Sequence, residues 1–123
     1  MQKIIILDAN AILRYLLYDV KEQADEVEAI LIEKEVLILP EVLAEVIYIM
    51  TKYYNQSHDF VSEKILFFLN EINYYSTILL DSIKTFGEGK LDFVDCLLFE
   101  YSKTLFYEVF TFDKRLKKKI ANG

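Results

Sequence analysis

The most restrictive feature of this chain is Lys3-Ile4-Ile5-Ile6-Leu7-Asp8-Ala9-Asn10, an apolar, β-branched run that stops at an acid and an amide. An apolar-periodic segment, Ala11-Ile12-Leu13-Arg14-Tyr15-Leu16-Leu17, follows at once. β-Branched residues favour strands, and the spacing of Ile12, Tyr15 and Leu16 favours a helix. A buried strand that runs straight into a helix predicts a parallel sheet, with Asp8 delivered to the carboxyl edge where such sheets bind ligands. Asp8 is equally suited to cap the helix that follows, so both roles stand at this point.

Hydrophobic residues make up 54% of the 123, with only 3 Gly and 1 Pro. That composition suits one folded domain with a real core, spanning residues 1–123. No apolar run approaches the roughly 18 residues of a membrane span, and the start lacks a secretory pattern. The expectation is a soluble cytoplasmic protein with no membrane association. One Cys, Cys96, and one His, His58, make neither an internal disulfide nor a Cys/His zinc set. A net charge of −6 is the wrong sign for a sequence-independent duplex binder. It does not exclude an enzyme whose acids reach phosphates through metal ions.

Along the chain, Asp19 opens a second amphipathic helix to about residue 32, carrying Ala24, Val27, Ile30 and Leu31. Val36-Leu37-Ile38-Leu39 reads as a second buried strand, and Pro40 suits the first turn of a helix running to about residue 54. Ser57 is a fair cap for a further helix to about residue 69. Tyr75-Ser76-Thr77-Ile78-Leu79-Leu80 predicts a third strand, with a short helix over 82–86 and a loop over 87–90. A helix carrying Cys96, Leu97, Leu98, Tyr101 and Leu105 comes next, then a last short strand, Val109-Phe110-Thr111-Phe112, and a basic helix or tail. Strands alternating with helices imply a three-layer α/β/α sandwich around a central parallel sheet of about four strands.

Several acids fall where such a fold could gather them. Asp8 and Asp113 end predicted strands, Glu45 follows another within two helical turns, and Asp92 and Asp95 stand three apart at a helix start. Each has a plainer role as a cap or a solvated side chain. Converging carboxylates repel, so a cluster of them suggests a hard divalent cation, Mg²⁺ or Mn²⁺. His58 lies in a polar loop and reads as a surface residue, and the many Tyr and Phe residues as core or dimer surface.

Taken in order, Ile4-Ile5-Ile6-Leu7-Asp8-Ala9-Asn10, Leu43-Ala44-Glu45-Val46-Ile47-Tyr48, Asp92-Phe93-Val94-Asp95-Cys96-Leu97-Leu98 and Thr111-Phe112-Asp113-Lys114-Arg115-Leu116 resemble the PIN-domain family. The likeness is greatest to the VapC-like ribonuclease toxins of prokaryotic toxin–antitoxin pairs. The resemblance implies metal-dependent cleavage of RNA phosphodiester bonds. Asp8, Glu45, Asp95 and Asp113 then fall on the acidic, catalytic metal positions, and Asp92 on an accessory one. Asn10 and Thr111 match polar supporting positions, and Lys114 and Arg115 could meet the RNA backbone. The same resemblance implies an antitoxin partner and a homodimer. Two departures stand out: the 81–92 segment is short for a family helix, and the chain ends at Gly123 where many relatives carry a further strand. Two other classes remain open at this stage. One is a non-catalytic PIN-like interaction module. The other is a phosphatase-like domain with Asp8 as phosphoacceptor, although no Gly-rich phosphate loop accompanies it.

Overall fold

The computed structural model describes residues 3–72 and 75–123. The first strand, β1 (Ile5–Ile6), leads through Leu7 and Asp8 into α1 (Ala9–Leu17), as the opening stretch predicts. α2 (Lys21–Glu33) follows, entered at Val20 rather than Asp19, whose carboxylate instead pairs with Arg14 at 2.9 Å. β2 (Val36–Leu37) lies parallel to β1, with Ile5 opposite Val36 and Ile6 opposite Leu37. α3 (Pro40–Tyr48) opens on its proline, which lacks the N–H that a first turn leaves unpaired. It widens into one π-helical turn, Ile49–Tyr53.

The remainder is helical: α4 (His58–Leu69), α5 (Thr77–Glu88), α6 (Phe93–Ser102) and α7 (Lys114–Asn122). Ser57 caps α4 as expected, its Oγ accepting from the Phe60 N–H at 3.3 Å. One core joins these elements. Ile12 of α1, Leu43 and Val46 of α3, Ile65 and Phe68 of α4, and Ile83 of α5 are all excluded from solvent. α4 packs on α5, α5 on α6, and α3 touches both α1 and α6.

The sheet is smaller than the sequence predicts, with two strands among the described residues instead of about four. The expected third strand is the start of α5. Ser76 accepts from the Leu79 N–H at 3.1 Å, and Leu79, Ser82, Ile83 and Phe86 are buried at helical spacing. The short Ile78-Leu79-Leu80 run has no period of its own, and the longer stripe decides it. α5 also fills much of the 81–92 stretch that looks short for a helix. The expected last strand, Val109 to Phe112, has no ladder partner among the described residues, and Phe110 and Phe112 are each 83% exposed. Thr111 Oγ1 accepts from the Asp113 N–H at 3.0 Å, a local turn bond that competes with pairing.

Gly87 lets α4 and α5 approach closely. A Cβ there would stand 2.5 Å from Ser62 Cβ and Oγ, and Ser62 is itself held by donating to the Ile83 carbonyl at 2.9 Å. Gly87→Ala gains about 1 kcal/mol of helix propensity but forces the two helices apart at a cost of about 1–3 kcal/mol. The variant is expected to lose stability on balance, read as a lower urea midpoint. A midpoint above the wild type's would show that the contact yields freely.

Candidate active site

Parallel pairing puts the carboxyl ends of β1 and β2 on one edge, and the chain turns there into α1 and α3. Asp8 stands at that edge, exposed, its carboxylate accepting from the Ala11 N–H at 2.8 Å. It therefore does cap α1. Asn10 is exposed in the first turn of α1, and Glu45 is exposed on α3, one and a half turns beyond Pro40. α1 packs against α3, and α3 against α6, so the acids lie on neighbouring helices.

The second group forms where α6 and α7 begin. Asp92 is the residue before α6 but makes no capping bond to it, which leaves its carboxylate available. Asp95, in the first turn, is half-buried. Burial first, and then the charges of Asp113 and Asp92, hold its pKa above the ordinary carboxylate value, with Arg115 acting the other way. Asp113 caps α7 by accepting from the Leu116 N–H at 2.8 Å, and Leu116 is buried, which pins that helix start in place. Thr111, by accepting from the Asp113 N–H, fixes the backbone that carries this carboxylate. Lys114 and Arg115 are exposed in the same turn.

The charges of Asp92 and Asp113 thus bear on Asp95, while Asp8, before α1, and Glu45, on α3, stand exposed on neighbouring elements. In kind the donors suit a hard cation: all are carboxylates, and like charges press on the half-buried one. In arrangement they are not gathered. Among the described residues no three His, Cys, Asp or Glu side chains form a group that could hold a metal ion.

One feature escaped the sequence reading. A cleft of about 260 Å³ opens between the π-helical turn and the start of α6, and Tyr48, Lys52, His58, Asp92 and Asp95 are among its walls. His58 is not a loop residue on open surface. It begins α4, half-buried, with its ring stacked on Phe86 at 4.1 Å and 13°. That contact joins residues 28 apart, so local periodicity carries no sign of it. The one available signal was the run of Tyr48, Thr51 and Lys52 interrupting the apolar pattern of a helix end.

No helix among the described residues is long and apolar enough to cross a membrane. Compared with known protein families, the chain matches the PIN domain over residues 5–121. No curated protein and no solved structure matches it.

Proposed function

The chain belongs to the PIN domain family, a nuclease-like α/β fold, and from that premise we propose that it is a Mg²⁺- or Mn²⁺-dependent endoribonuclease, the VapC-like toxin of a toxin–antitoxin pair. The observation that carries this reading is Asp95, half-buried with the charges of Asp92 and Asp113 upon it. Two like charges bear on the half-buried Asp95 carboxylate, and a cation bound beside it would relieve that repulsion.

Asp95 and Asp8 would be the principal ligands, with Asp113, Glu45 and the accessory Asp92 beside them. A bound divalent ion would supply a water of lowered pKa and offset charge on a phosphate. Thr111 holds the backbone of Asp113, and Asn10 would orient its neighbouring carboxylates. Lys114 and Arg115, exposed beside the acids, would meet the RNA backbone and so position it without reading sequence. The protein would work in the cytoplasm.

Protein partners find support in an exposed apolar strip on the α6–α7 connection. Leu105 and Phe106 are almost fully exposed there, with Phe110 and Phe112 close behind. Apolar surface of that kind commonly marks an interaction site, here for the antitoxin or a second copy. The same strip, with Asp8 and Asp113 both engaged as caps, favours the second reading, a non-catalytic interaction module.

Total cellular RNA incubated with the purified chain separates the two. Cleavage is expected with Mn²⁺ or Mg²⁺ and none with EDTA. Mn²⁺ at a hundred times its Kd should raise the melting midpoint by on the order of 10 °C. No cleavage together with an unmoved midpoint would assign the interaction module instead.

A further inference from the structure

The π-helical turn changes what the end of α3 presents. The Tyr54 N–H reaches back to the Ile49 carbonyl at 3.1 Å, and Thr51 Oγ1 donates to the Ile47 carbonyl at 2.8 Å. Single π turns are rare and recur at functional sites. Here Met50 stays in the core, while Tyr48 and Lys52 line the cleft; Tyr48 is 64% exposed. Lys52 makes no ion pair among the described residues. Phe86 lies in the cleft wall with the His58 ring flat against it.

This is an unusual combination for a surface cleft. Its walls are mostly apolar, the half-buried His58 ring backed by the buried Phe86 and the exposed Tyr48 ring face it, and a lone cation stands at the π turn. At about 260 Å³ it is smaller than the roughly 300–1,000 Å³ of a typical ligand pocket, so it suits one planar ring rather than a whole ligand. It is also continuous with the acids, since Asp92 and Asp95 belong to its wall. A planar ring with a phosphate attached, lying beside a candidate phosphodiesterase centre, is a nucleotide.

We propose that this cleft is a binding subsite for one unpaired nucleotide of the RNA, adjoining the phosphate that is cut. Its base stacks between Tyr48 and the His58 ring, which the buried Phe86 backs from behind, and Lys52 neutralises a flanking phosphate. The proposal rests on the ribonuclease reading and names the residues with which that site grips its substrate. A base can enter only if it is out of a duplex, because in a duplex its faces are covered by its neighbours. Tyr48, Lys52 and His58 touch substrate in this scheme, and none of them takes part in bond cleavage.

The test uses the full chain with Mn²⁺ and a short unstructured RNA, measuring KM and kcat for wild type, Tyr48→Ala, Lys52→Ala and Lys52→Arg. Removing one stacking partner or one phosphate contact should raise KM about tenfold while kcat stays near wild type. Lys52→Arg should restore most of the loss. For Lys52→Ala the slope of log KM against log salt should fall by about 0.7, the value for one phosphate on a single strand. The same sequence annealed to its complement should be a poor substrate. Both side chains are exposed, so melting midpoints should match and a folding defect is readily excluded. Wild-type cleavage with KM unmoved in both alanine variants overturns the subsite and leaves a partner protein's side chain as the occupant, with the ribonuclease reading intact. A wild type that cuts no RNA overturns that reading and this inference together.

Discussion

Asp8→Asn is expected to melt within a few degrees of wild type and to cleave RNA at least about a hundredfold more slowly, the scale on which loss of one transition-state partner is felt. The stability half follows from the cap. Asp8 accepts from the Ala11 N–H at 2.8 Å, and an Asn side-chain carbonyl can accept the same bond, Asn and Asp being near-equal caps. What is lost is a negative charge at a helix N-terminus, worth about 0.3–1 kcal/mol. Asp8→Ala should differ, losing about 1 kcal/mol through the cap as well as the activity. Circular dichroism melts and Mn²⁺-dependent cleavage, run on both variants, separate the two duties of one carboxylate. Wild-type cleavage by Asp8→Asn would show that Asp8 is a cap and nothing more.

Those two duties also explain how far the sequence could be read. Features written in a few adjacent residues were legible: the strand that stops at Asp8, Pro40 opening α3, Ser57 capping α4 and Asp113 capping α7. Each is a bond or a steric fit within one turn. The α5 stripe was missed because three apolar residues in a row suit a strand or a helix alike, and only Ser82 to Phe86 break the tie. Val109 to Phe112 has the composition of a strand, but a strand exists only with a partner, and pairing is not local. The π turn, the His58–Phe86 stack and the Thr85–Glu100 bond, 2.6 Å and partly buried, all depend on helix–helix packing. The acids divide the same way. Their order along the chain and the i, i+3 pairing of Asp92 with Asp95 are visible, whereas the pressure of Asp113 on Asp95 exists only because α6 packs on α7.

Phe68→Ala is expected to show the reverse pattern, a large loss of stability with chemistry kept in the molecules that remain folded. Phe68 is fully buried on α4, and its ring meets that of Tyr15 on α1 at 5.8 Å and 50°. Tyr15 is fixed from its other end, its hydroxyl donating to the Glu71 carboxylate at 3.0 Å. Burial and that bonded carboxylate push the Tyr15 pKa up to about 12. The phenol therefore keeps its proton in the folded chain to higher pH than in the unfolded one. Its contribution is whole below about pH 10 and fades as pH rises towards 12. Removing the Phe68 ring leaves a cavity that neighbours cannot close, since Ile65 and Leu69 are already fully buried beside it on α4. The cost is about 3–5 kcal/mol, a large fraction of the 5–15 kcal/mol that typically holds a domain together. It corresponds to a fall in melting midpoint on the order of 15 °C. Because Phe68 packs in the α1–α4 core and takes no part in the cleft that Asp92 and Asp95 line, cleavage per folded molecule, assayed well below the new midpoint, should stay near wild type. A variant that melts normally would mean that the α1–α4 contact is loosely packed. One that stays folded at the assay temperature yet cuts nothing would mean that α1 must be held rigidly for Asp8 to act.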